Sequence, residues 1–236
     1  MIDGSEEREH AVAPLELFFD LVFVFAFTQV TTLLAGNPTW SGLGHALLVL
    51  TALWWAWASY AWLTNTTDPE AGAVWGAMLV AMGALFVAAL AVPEIFGAHG
   101  VVFGVSFLLV NVMHTALYSL AARGNRELMT AVLRAGRWSL AGSVLILVAG
   151  FADGGLRTVL WLAALVVGFL GPLLARIGGW RVEPAHFAER HGLIVIIAIG
   201  ESLVAIGLGA RETRLGAAVL VAAVLGFVVA TSFWLA

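Results

Sequence analysis

Long apolar runs follow one another through this sequence with only short polar breaks, and that pattern leaves few ways to fold. A helix needs about 20 mostly apolar residues to cross roughly 30 Å of hydrocarbon. Eight such runs stand out, at about 15–35, 41–63, 71–92, 101–122, 133–152, 156–176, 189–210 and 214–236. The breaks, such as Gly36-Asn37-Pro38 and Asp153-Gly154-Gly155, are made of residues that stop helices. Every break is shorter than about 15 residues, which leaves no room for an inserted water-soluble domain. Barrel strands alternate with a period of two, whereas these runs are continuously apolar, so a transmembrane barrel is excluded. The expected fold is all-α: a polytopic transmembrane helical bundle of about eight spans. Residues 1–14 form a polar N-terminal segment and 15–236 a single transmembrane domain.

Composition agrees. Apolar residues make up 61% of the chain and charged ones 11%, against roughly 25% charged in a soluble domain. A soluble enzyme, a disordered tail and a nucleic-acid binder are thereby excluded. The 11 basic residues are all arginine, the net charge is −4, and no basic cluster is long enough to hold a polyanion. With no cysteine, disulfides, thiolate metal sites and cysteine nucleophiles are absent. The segment MIDGSEEREHAVAP is acidic and the run after it is too long for a signal core, so no cleavable signal is expected.

Arginine counts in the short loops set the expected orientation. With a cytoplasmic N-terminus, the inner side holds Arg8, Arg123, Arg126, Arg134, Arg137, Arg176, Arg181 and Arg190, and the outer side Arg157, Arg211 and Arg214. The expectation is a multi-pass protein of the bacterial cytoplasmic (inner) membrane with its N-terminus inside. Its partner is the lipid bilayer; self-association into a homo-oligomer stays open. Trp180 and Arg181 look like interface anchors.

An ionisable side chain at mid-bilayer costs roughly 2.5–3.5 kcal/mol on insertion scales, so each one needs a reason. Glu16 and Asp20 are four residues apart and share one face of the first helix, a face that continues through Val24, Phe27 and Thr31. Two carboxylates there repel unless a cation or a shared proton intervenes, and an arginine is the simplest partner. Glu201 lies near the middle of the seventh run, between Gly200 and Ser202. Arg190 is on the same stripe but about 16 Å away along the axis, too far to touch it. Glu201 must therefore be neutral, face a polar cavity or pair with another helix. In the fourth run, Asn111, His114, Thr115 and Tyr118 form one polar face, which points into the bundle. His114 and His45 both suit hydrogen-bonded interior positions. His186, Glu189, Arg190 and His191 crowd the start of the seventh run as an ion-paired cap. No histidine spacing makes a metal site, and no cofactor is expected.

Two motifs, PLELFFDLVFVFAFTQV (Pro14 to Val30) and FAERHGLIVIIAIGESLVAIG (Phe187 to Gly207), resemble the bacterial low-temperature-requirement A family, LtrA. The resemblance implies an integral bacterial membrane protein of a family named for a growth phenotype in the cold. It marks Glu16, Asp20, Glu189, Arg190, Glu201 and Ser202 as the polar members of the motifs. Relatives continue for several more spans beyond FWLA, so the chain is either a short relative or an incomplete one. The motifs also resemble each other, pairing Leu21–Thr28 with Leu193–Gly200, as parallel repeats in transporters do.

Three functions compete. The first is a transporter or channel moving protons, cations or a small solute past intramembrane carboxylates, with Glu16, Asp20, His114, Tyr118, Arg190, Glu201 and Ser202 as path residues. It expects Asp20, Glu201 and His114 to converge on one hydrated cavity. The second is a membrane-embedded enzyme acting on a lipid or isoprenoid; the absence of an aspartate-rich or two-histidine motif weighs against it, and no catalytic residue is assigned. The third is a structural or regulatory membrane protein whose buried acids fix helix register.

Overall fold

The computed structural model describes residues 13–65, 67, 72–174, 184–211 and 216–235. Segment 1–12, the loop arginines Arg176 and Arg214, and the anchors expected at Trp180 and Arg181 lie outside the described residues. Eight α-helices follow in order: α1 (Pro14–Gly36), α2 (Trp40–Thr64), α3 (Gly72–Ala91), α4 (Gly100–Ala121), α5 (Arg126–Ala149), α6 (Gly154–Leu174), α7 (Pro184–Arg211) and α8 (Ala217–Leu235). A short 3₁₀ turn, Val92–Glu94, follows α3. Seven of the helices are long and apolar enough to cross a membrane; in α8 the qualifying stretch, Ala217–Ser232, is shorter. No strand occurs among the described residues, and the chain is a polytopic helical bundle.

Two helices begin earlier than their apolar runs. α5 starts at Arg126 instead of 133, because the Asn125 side chain caps it by accepting the Leu128 N–H at 3.1 Å. α7 starts at Pro184 instead of 189, since a proline suits a first helical position, where its missing N–H costs nothing. The polar group His186, Glu189, Arg190 and His191 is therefore helical, and its side chains project at helical spacing.

Helix α1 packs against α2, α3 and α7; α4 lies between α3 and α5, α6 covers α5, and α8 packs on α7. Glycines let the backbones approach closely where these helices cross. A Cβ on Gly104 of α4 would meet the Leu147 Cα of α5 at 2.5 Å. One on Gly142 of α5 would meet the Ala164 carbonyl of α6 at 2.8 Å. The core lies among the first four helices, where Phe19, Phe23, Trp57 and Tyr60 are buried. The outward apolar side chains of α3, α6 and α8, Val87, Leu162 and Val224 among them, are exposed as lipid-facing positions should be.

Five helices separate α1 from α7, yet the two lie side by side and run in the same direction. Glu16 and Asp20, in the first two turns of α1, meet His186 and Arg190, in the first two turns of α7. That parallel pair, closed on one side by α2, frames the polar site.

Candidate functional site

Pro14 opens α1, and Glu16, three residues after the capping Ala13, bends its carboxylate back to accept the Ala13 N–H at 3.0 Å. An acid in this first turn is favoured by the partial positive charge of the helix N-terminus. One turn further, Asp20 is fully buried. The cation between them is Arg190, whose side chain has 0% exposure. Its Nη1 donates to Glu16 Oε1 at 3.0 Å and also to the Thr64 hydroxyl. Its Nη2 donates to Asp20 Oδ1 at 2.9 Å, and its Nε reaches Asp20 Oδ2 at 3.4 Å. The guanidinium thus forms a fork on Asp20 and a single bond to Glu16, which its planar array of donors allows and a lysine could not match. The Phe19 ring lies 5.9 Å from the guanidinium carbon.

Two further groups complete the cluster. The Trp57 indole of α2 donates to Asp20 Oδ1 at 2.8 Å. His186 Nε2 bonds Glu16 Oε2 at 3.1 Å, while its Nδ1 faces the Asn65 amide at 3.2 Å. Two carboxylates thus share one guanidinium, with the His186 ring on the outer side of Glu16. Residues of three helices are tied together here, and the side chains are sealed from solvent. Breaking one member of such a cluster strands a charge, which is far more costly than never having buried it.

The polar face of α4 also reaches partners. His114 Nε2 bonds the Ser59 carbonyl of α2 at 3.0 Å, and its ring packs on Tyr60 and Tyr118 at 5.2 and 5.6 Å. Tyr118 is buried, and Tyr60 donates its hydroxyl to the Val110 carbonyl at 2.8 Å. Ser139 of α5 donates to Asn111 Oδ1 at 2.7 Å. His45 stacks on Phe96 at 4.0 Å and reaches Thr158 at 3.2 Å. His114, Tyr60, Asn111 and His45 thus each reach a hydrogen-bond partner on a neighbouring helix. Among the described residues, no cluster of three or more histidines and acids is placed to hold a metal ion.

Glu201 is different. It is half-buried, and no hydrogen bond or ion pair reaches its carboxyl among the described residues. Ser202 beside it is exposed and bonds back to the Ala198 carbonyl at 2.8 Å. The expected convergence of Asp20, His114 and Glu201 on one hydrated cavity does not occur among the described residues. Asp20 is sealed by Arg190 and Trp57, His114 bonds the backbone of α2, and Glu201 lies about three turns of α7 beyond the cluster. What lies near Glu201 is a groove of about 630 Å³ between α1, α2, α6 and α7, walled by Phe27, Trp54, Trp55, Phe169, Ile194 and Ala198. On α7, the sequence Arg190, Ile194, Ala198 and Glu201 follows helical spacing, so Glu201 continues the groove's α7 wall by one more turn.

A family model for the bacterial low temperature requirement A protein, LtrA, matches residues 11–236. The chain belongs to the LtrA family. It is also 34% identical over 203 residues to an uncharacterized protein of Rhizobium meliloti (strain 1021), covering 81% of this chain and 49% of that protein. The LtrA chain described here therefore spans about half the length of this curated relative. No solved structure matches it.

The partners of the LtrA motif acids were only partly legible. Arg190 was expected near an interface, yet it is the fully buried centre of the cluster. Trp57, Thr64 and Asn65 were not singled out as site residues. Their signal was available: Trp57 and Thr64 are seven residues apart on one face of α2, a polar stripe like those of α1 and α4.

Proposed function

We propose that this LtrA chain is part of a transporter or channel that moves protons, cations or a small solute along α1, α2 and α7, with Glu201 as the acid that meets the moving species. The observation that carries this reading is the contrast among three intramembrane acids. Glu16 and Asp20 are paired with Arg190, whereas Glu201 has no partner among the described residues. A carboxyl at mid-span costs a few kcal/mol unless water, a cation or another polar group reaches it, so a mere packing role gives it no return. Arg190 and its acids are then the clamp that holds α7 against α1 at one end of the path, and Tyr118 and His114 stiffen the neighbouring helix. The protein sits in the bacterial inner membrane with its N-terminus in the cytoplasm, a reading supported by the excess of arginine on that side.

Reconstituted protein in liposomes tests this. A proton or cation flux that disappears in Glu201→Gln supports the reading; a flux unchanged by that substitution overturns it. A second reading, a structural or regulatory membrane protein, draws on the completeness of the Arg190 cluster, which resembles a register-fixing device. It expects Glu201→Gln to leave the cellular phenotype intact.

A further inference from the structure

We propose that the groove between α1, α2, α6 and α7 is a binding site for a lipophilic organic cation, a bulky apolar body carrying one positive charge. This rests on the reading of Glu201 as an acid on the transport path and names the class of solute that path would take.

Size comes first. At about 630 Å³, the groove falls within the roughly 300–1,000 Å³ typical of small-molecule sites. Its walls are apolar and carry four aromatic side chains: Phe27 of α1, Trp54 and Trp55 of α2, and Phe169 of α6. These rings are braced against one another, Phe27 on Trp54 at 6.1 Å and Trp55 on Phe169 at 4.4 Å. Aromatic faces attract cations through their quadrupoles, tryptophan most strongly, and the attraction grows when water is excluded.

Charge decides between this occupant and a lipid tail, which an apolar groove in a bilayer would otherwise accept. The α7 wall, Ile194 and Ala198, leads to Glu201 one turn on. The cation on the groove side of Glu201 along α7, Arg190, is committed to Glu16, Asp20 and Thr64, so it neither neutralises Glu201 nor repels a cationic guest. His191, at the other end of the wall, donates Nδ1 to the Phe187 carbonyl at 2.8 Å and packs edge-on against Trp57 at 4.7 Å. Among the described residues that line the groove none is basic and none is acidic, and Glu201 stands one turn beyond them. An acid one helical turn beyond an aromatic wall suits a cation whose charge is shielded by apolar groups, because such an ion surrenders little hydration on entering.

The test uses the purified chain in lipid nanodiscs, with tetraphenylphosphonium as probe and tetraphenylborate as its counterpart of the same shape and opposite charge. Binding is followed by equilibrium dialysis and by quenching of tryptophan fluorescence. Expected is saturable phosphonium binding, at least tenfold weaker in Glu201→Gln and absent in Ala58→Trp, which fills the groove from its α2 wall; borate does not compete. Both variants should melt within a few degrees of the parent protein, and an unfolded variant is replaced by Glu201→Asp, which keeps the charge and should keep the binding. Equal binding of the two ions, or phosphonium binding that ignores Glu201→Gln, would mean a lipid-tail groove and overturn the proposal. Saturable, Glu201-dependent binding without any flux would leave this site standing while removing transport. Glu201-dependent flux of inorganic ions without phosphonium binding would do the reverse.

Discussion

Replacing Arg190 with methionine removes the one cation that Glu16 and Asp20 share. Glu16 loses its 3.0 Å bond, Asp20 loses one at 2.9 Å and one at 3.4 Å, and Thr64 loses its donor, all at positions closed to solvent. Removing one partner of a buried ion pair costs about 3–5 kcal/mol, since the remaining charge must be protonated or left unpaired. Here two acids are stranded at once, although Trp57 continues to hold Asp20, and the Ala13 N–H and His186 continue to hold Glu16. About 4 kcal/mol is the expected loss. For a chain of this size that corresponds to a fall in melting temperature of roughly 8–16 °C.

The informative control is the neutral triple variant, Glu16→Gln, Asp20→Asn and Arg190→Met. An ion cluster replaced as a whole by neutral groups of similar volume often costs little, because the desolvation penalty disappears along with the attraction. The triple variant should therefore be more stable than Arg190→Met alone by about 2 kcal/mol or more. Unfolding of the detergent-solubilised variants, followed by tryptophan fluorescence, gives both values. If the single variant melts within about 3 °C of the parent, or the triple variant is no more stable than the single, then Arg190 is not the charge that the two acids require.

Four further outcomes can be checked. Trp57→Phe deletes the indole donor to Asp20 and should cost about 1–2 kcal/mol in the same melting assay, less than the loss of Arg190. Gly104→Ala puts a methyl within 2.5 Å of the Leu147 Cα, a backbone atom that cannot swing aside, so it should destabilise by about 1–3 kcal/mol. Gly44→Ala, with nothing within 4 Å of the added carbon, should be neutral or slightly stabilising. Because the chain has no cysteine, single cysteines at Asn65 and Phe151 can report topology: an impermeant thiol reagent added to intact cells should label Phe151→Cys and spare Asn65→Cys, and the opposite pattern would invert the orientation.

The bilayer-spanning fold was legible because it depends on run length alone, which a sequence states directly. The Glu16–Asp20 face was legible too, since four-residue spacing on a helix needs no tertiary information. Their partner was not. Arg190 lies 170 residues beyond Asp20, and which helices meet depends on how small residues such as Gly104 and Gly142 let neighbours approach. Helix boundaries mattered as well. Reading α7 from 189 put Arg190 at an interface; starting it at Pro184 carries Arg190 almost two turns into the helix and against Asp20. The α4 face was legible as interior, but the target of His114 is the Ser59 carbonyl, and backbone acceptors leave no trace in residue identity.

The two halves of α7 have different environments, and that difference bears on mechanism. Its first half is clamped at Arg190, and Ile194 is still buried, whereas Leu203, Val204 and Leu208 are exposed. Glu201 is half-buried, about 16 Å along the axis from the clamp. With Arg190 as pivot, a tilt of about 10° would move Glu201 by about 3 Å along an arc of that radius, enough to widen or narrow the groove beside it. An acid used only to fix register would gain most by lying where the helices are already locked, as Asp20 does. Glu201 lies instead about three turns from that lock, with no partner among the described residues.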